Sequence, residues 1–153
     1  MLPMDRTLIS VSADSAQHDD VRAFVLQHLR AFNRRTAEPP EFQSLSLALS
    51  SDGELIGGLV GEVGWPWLFV ELLWVSETYR VRGLGARLLR AAETEDIRRG
   101  ARHAYLDTLD FQTRPFYERQ GYDVFGTLAD YPPGHHCYFL KKDLVTDAAA
   151  TAE

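Results

Sequence analysis

Residues 68–99 constrain the chain most. The apolar run "LFVELLWVSE" (68–77) reads as one long strand and gives way to "TYRVRGLGARLL" (78–89), in which Gly83 and Gly85 stand one residue apart. An amphipathic stretch then runs to about Arg99, with Leu84, Leu88 and Ala92, together with Ala86, Leu89 and Ile97, predicted inward. Glycine weakens a helix, so two of them at a helix start under Arg80 and Arg82 need another reason. A helix N-terminus carries unpaired N–H groups and the positive end of the macrodipole, and glycine lets an anion approach that backbone closely. The stretch predicts a strand–turn–helix unit with an anion site at the carboxyl end of the strand, where open α/β sheets bind ligands.

The remaining patterns agree with such a sheet. "TLISVS" (7–12) alternates weakly and predicts a first strand. Residues 16–37 are amphipathic, with Val21, Phe24, Val25, His28, Leu29 and Phe32 on one face. "QSLSLALSS" (43–51) alternates, with Leu45, Leu47 and Leu49 on one side. "DG" (52–53) predicts a hairpin turn into "ELIGGLVGEV" (54–63), and "GWPW" turns the chain again. After the glycine helix come a strand in "GARHAYLDTLD" (100–110) and a short helix in "TRPFYERQG" (113–121). Two strands follow, in "YDVFGTL" (122–128) and "CYFLKKDL" (137–144). The expected class is α/β, a mixed central sheet with helices on both faces, in one domain over 1–145 with a frayed tail at 146–153.

Length and charge narrow the functions. At 153 residues, with 16 basic and 22 acidic residues and a net charge of −6, the chain disfavours non-specific nucleic-acid binding and suits a cationic small partner. A single cysteine, Cys137, excludes an intrachain disulfide and reads as a buried small hydrophobe. No run is apolar enough to span a bilayer and no signal core is seen, so the cytoplasm is expected.

The glycine stretch fits neither familiar phosphate loop. A P-loop needs lysine and then serine or threonine after its second glycine, where Ala86 and Arg87 stand; a dinucleotide fingerprint needs a third glycine at Leu88. The pattern that is filled is Arg/Gln-x-x-Gly-x-Gly/Ala, by Arg80, Gly83 and Gly85. With "PFYERQGY" (115–122) downstream, residues 43–144 resemble the GNAT acyltransferases (Gcn5-related N-acetyltransferases), in particular a small bacterial subgroup.

The resemblance implies acetyl transfer from acetyl-CoA, a co-substrate, to an amine by direct attack in a ternary complex, with no metal. The N–H groups of Val81, Arg82, Gly83, Leu84, Gly85 and Ala86, with Arg80, would hold the pyrophosphate. The strand segment Leu73–Trp74–Val75 would pair with the pantetheine, and the N–H of Val75 would face the thioester oxygen. Tyr117 would be the general acid. Glu71, read by simple alternation as sharing a face with Leu73 and Val75, is the candidate base; a solvated or arginine-paired strand glutamate is the other reading. A base is useful because an alkylamine is neutral in only about one molecule in 2,500 at pH 7, a deficit of about 4.6 kcal/mol. Family members often carry asparagine where this chain has Asp110, which leaves Gln112 as the candidate pantetheine contact.

The acceptor stays open: a small polyamine, an amine antibiotic or a peptide amine. Trp65 and Trp67 read either as an aromatic acceptor pocket or as caps of a tight turn. Asp130, Tyr131, His135 and His136 lie in a loop that lacks further ligands at metal spacing. Homodimers are common in the family. A non-catalytic acyl-CoA-binding regulatory domain is the alternative function.

Overall fold

The computed structural model describes residues 7–144. It has two compact units, one up to Pro39 and one from Pro40 onward. The expected tail, 146–153, lies outside the described residues.

In the first unit the 16–37 pattern forms helix α1 (Ser15–Asn33), capped by Asp14, whose Oδ1 accepts the Ala16 N–H at 2.8 Å. The strand expected at 7–12 does not form. Its alternation spans only six residues, and this unit offers no other described strand with which to build a ladder.

The second unit is a six-stranded sheet. Its strands are β1 (Gln43–Ser51), β2 (Glu54–Gly64), β3 (Trp67–Val75), β4 (His103–Leu109), β5 (Asp123–Ala129) and β6 (His136–Asp143). Spatial order is β1-β2-β3-β4-β6-β5, with β3 and β4 parallel and every other neighbouring pair antiparallel. The predicted Asp52–Gly53 turn closes the first hairpin, both residues at positive φ (50° and 83°). Helix α2 (Leu84–Arg98) carries the chain from β3 to β4, and α3 (Arg114–Arg119) follows β4.

Leu45, Leu59, Leu68, Val70, Leu106 and Leu140 from the sheet pack with Leu88, Leu89 and Ala92 of α2 and Tyr117 of α3. Both helices therefore cover one face of the sheet. Ile97, expected inward, is 41% exposed: in the last turn of α2 it lies at the edge of the buried stripe, and Asp96 takes the inward place. Burial pushes the Asp96 carboxyl up, opposed by the Arg99 charge. Beside it Glu93 is also buried and accepts from the Tyr122 hydroxyl (2.9 Å) and from Lys142 Nζ (2.9 Å), which ties α2 to β6. Cys137 is buried, as its composition context predicts.

No helix among the described residues is long and apolar enough to cross a membrane.

Candidate active site

Strands β3 and β4 pair only from Trp67 to Phe69 against His103 to Tyr105, and then part. Past that point β3 has a neighbour on one side alone. Ser76 N–H donates to the Ile56 carbonyl (2.7 Å), which makes Gly57↔Val75 a non-hydrogen-bonded pair of the antiparallel ladder. The N–H and C=O of Val75, and of Leu73 two residues back, thus point away from β2 and into the opening. Unpaired strand groups must find a partner, and a ligand with amide groups can serve as an added strand.

The opening is a cleft of about 970 Å³. Of the residues singled out in the sequence, Glu71, Leu73, Trp74, Val75, Arg80, Val81, Gly83, Leu84, Gly85, Ala86, Gln112 and Tyr117 all line it; Arg82 does not. The Arg82 guanidinium lies over the Tyr79 ring, 5.4 Å from its centroid.

The helix start is shaped for an anion. Gly83, at φ 71°, is the N-cap of α2 and provides no side-chain cap. The first intrahelical bond runs from Arg87 N–H to Gly83 O (3.0 Å), so the amides of Leu84, Gly85 and Ala86 have no helical acceptor. Val81 is fully exposed and also has positive φ, 62°; for a β-branched residue this is a strained conformation, costing about 1–3 kcal/mol. At Gly85 a Cβ would meet the Phe116 ring at 3.4 Å, an ordinary contact distance, so α2 and α3 pack close together here.

Arg80 departs from expectation in part. Its Nε donates to the Val75 carbonyl (2.9 Å), so this donor clamps the turn and the side chain adds charge from that fixed position. The same bond engages the Val75 carbonyl, while the Val75 N–H still faces the cleft.

Glu71 needs a correction. The β2–β3 register slips between Val60↔Leu72 and Gly61↔Val70, leaving Glu71 as the extra residue of a bulge. Alternation breaks there: Leu68 and Val70 are buried before it, and Leu73 and Val75 pack against the core after it. Glu71 therefore does not share a face with Leu73 and Val75 by simple count. It is exposed, on the cleft wall.

Tyr117 is buried, and its phenol is pushed up to about 12, first by burial and then by the Asp107 charge. Asp107, on β4, lines the cleft opposite β3 and was not singled out in the sequence. The signal was present: Ala104, Leu106 and Thr108 alternate inward, which leaves Asp107 at the mouth of the parting strands.

Gln112 is largely committed to its own turn, its Oε1 accepting from Leu109 N–H (2.8 Å) and Thr108 Oγ1 (3.1 Å). Asp110 holds the following loop, accepting from the His135 ring (2.8 Å) and the His136 N–H (2.9 Å). Burial raises its carboxyl, and these hydrogen bonds outweigh that, so it lies below the usual carboxylate range.

A parted strand with outward amides, an uncapped helix start at its end and a buried phenol across the opening define an acyl-CoA-dependent acyltransferase class. Residues 13–122 match the Acetyltransferase (GNAT) family, and the chain belongs to it. It is similar to the blasticidin-S acetyltransferase of Streptomyces morookaense, 41% identical over 82% of this chain and 93% of that one. Its structure is similar to an acetyltransferase from Bacillus cereus, with a TM-score of 0.79 and 26% identity over 89% of this chain and 97% of that one. It shares its fold with an aminoglycoside 6'-N-acetyltransferase complexed with coenzyme A, with a TM-score of 0.62 and 20% identity over 67% and 74% of the chains. The protein is an acetyl-CoA-dependent acetyltransferase.

Proposed function

We propose that the cleft acts on a small-molecule primary amine by direct attack in a ternary complex, with Tyr117 as acid and Glu71 as base. The observation that carries this reading is the Val75 N–H, turned away from β2 into the same opening that Tyr117 lines.

Acetyl-CoA supplies an activated thioester carbonyl. Leu73 and Val75 offer their backbone to the pantetheine, and the amides of 81–86 receive the pyrophosphate. The unfilled amides and the strained Val81 support that assignment. The Val75 N–H donates to the carbonyl oxygen as it gains negative charge, a contribution of about 2.7–4 kcal/mol where one such donor has been removed from other enzymes. Glu71, on the bulge, takes the proton released by the attacking nitrogen. Tyr117 keeps its proton until sulfur departs and then delivers it from Oη. Burial is the larger cause that keeps the phenol protonated until then. Asp107 holds that proton on Tyr117 through its charge.

The blasticidin-S acetyltransferase relative supports an amine antibiotic as acceptor. A net charge of −6 supports a cation over a nucleic acid, and the lone buried cysteine supports a cytoplasmic setting.

The test is thiol release with a panel of amines, blasticidin S among them. Tyr117→Phe should lower kcat by about a hundredfold with the acetyl-CoA KM nearly unchanged. Because the wild-type phenol stays protonated up to about pH 12, kcat should not fall through the ordinary phenol range near pH 10. Acetyl-CoA binding without turnover of any amine would favour a regulatory domain.

A further inference from the structure

The sheet face opposite α2 and α3 carries a second pocket, of about 460 Å³, in the same unit. Its walls are aromatic: Phe42, Trp65, Trp67, Phe69, Tyr105 and Phe125. The rings brace one another. Phe69 stacks on Tyr105 with centroids 4.9 Å apart, and Trp67 meets Tyr105 edge-on at 5.8 Å. Phe42 lies over Gly64 so closely that a Cβ there would collide with its ring.

Two charged groups reach the pocket. Glu62 sits opposite Phe69 across the β2–β3 ladder, and its carboxylate makes no hydrogen bond or ion pair among the described residues. Lys141 is at the other side, its Nζ 5.8 Å from the Phe125 centroid. A cation entering this pocket is drawn to the Glu62 end and repelled from the Lys141 end. Aromatic faces favour a flat, weakly hydrated cation over a compact, strongly hydrated ammonium.

The pocket also adjoins the cleft. Tyr105 and Asp107 are two residues apart on β4 and so point to the same face. The Tyr105 phenol is raised by burial first and then by both Glu62 and Asp107, so it stands within electrostatic range of each.

We propose that this aromatic pocket is the distal acceptor subsite, and that it takes a planar cation — an amidinium, guanidinium or protonated amino-heterocycle — with Glu62 as its counter-ion. The acceptor then carries two nitrogens of different kinds: the planar cation seated at Glu62, and a primary amine reaching past Tyr105 and Asp107 into the parting of β3 and β4. This rests on the reading of that parting as the transfer site.

Benzamidine is the probe. Titrated into the full chain without acetyl-CoA, it should quench the Trp65 and Trp67 fluorescence saturably. Benzamide, flat but uncharged, should bind at least tenfold more weakly, and Glu62→Gln should weaken benzamidine binding at least tenfold. Trp67→Leu should reduce the quench, while Lys141→Gln should tighten benzamidine binding or leave it unchanged. In the thiol-release assay benzamidine should compete with the amine and not with acetyl-CoA. Equal affinity for benzamidine and benzamide, or an unaltered Glu62→Gln variant, would overturn the counter-ion. Saturable binding without competition against the amine would overturn the acceptor role. Because the titration omits acetyl-CoA, its result separates failure of the pocket from failure of the transfer mechanism.

Discussion

The two ends of α2 are built to opposite ends. Its first turn has no capping side chain, no acidic residue, a glycine at φ 71° and a strained valine just before it. Its last turn is tied down. Arg98 and Arg99 donate to Glu95 at 2.6 and 2.9 Å, Arg99 reaches the Ser44 carbonyl at 3.1 Å, and Ala101 N–H returns to the Asp96 carbonyl at 2.7 Å. Gly100, at φ 102°, makes the exit turn that permits this return. One helix thus leaves its positive end open and closes its negative end with arginines, as the macrodipole favours. A helix start that goes uncapped while the other end is satisfied points to a ligand as the missing cap.

The sharpest way to break this contrast is to close the open end. Gly83→Asp should raise the acetyl-CoA KM by tenfold or more, since a carboxylate would stand where the diphosphate is expected. Aspartate tolerates this φ better than most residues, and no atom lies within 4 Å of its added Cβ. Only glycine holds φ 71° without strain, so stability should also fall, by about 1 kcal/mol. Gly83→Asn, the uncharged counterpart, should carry a similar stability cost and recover much of the acetyl-CoA affinity. Equal KM values for the two variants would remove electrostatics from the account.

The closed end should answer in stability alone. Gly100→Ala has open space around its Cβ, so its cost is backbone strain, about 1 kcal/mol by denaturant melts, with acetyl-CoA KM unchanged. A smaller effect is expected at Glu95, whose carboxyl is held down to about 2, from an ordinary 4.5, by hydrogen bonds from Arg98 and then Arg99. A depressed carboxyl contributes stability that is complete above about 4.5 and lost as pH falls toward 2. Glu95→Gln should therefore melt slightly lower than wild type at pH 7, and the gap should close as the pH is brought down through that window. A gap that widened in acid would assign the stabilisation to another group.

Local chemistry was legible in the residues. The Asp52–Gly53 hairpin, the alternation of β1, the glycine entry to α2 and the proline in the first turn of α3 each follow from a few adjacent residues. Most of the candidate site came with them, because the stretches 71–75 and 80–86 are contiguous and Tyr117 sits in a recognisable short motif.

What remained hidden depends on partners far along the chain. Residues 7–12 alternate, yet a ladder needs a second strand, and their unit has none among its described residues. The slip at Glu71 is a property of the β2–β3 pairing and leaves no mark in the β3 sequence. Arg80 reads as a free charge until the turn folds it back onto the Val75 carbonyl. Asp107 becomes part of the cleft only because β4 separates from β3 after Tyr105. Periodicity and turn residues act over a few bonds, so the sequence by itself determines where helices and hairpins begin. Register, and which backbone amides are left without partners, are decided by contacts between distant segments, and those contacts exist only in the folded sheet.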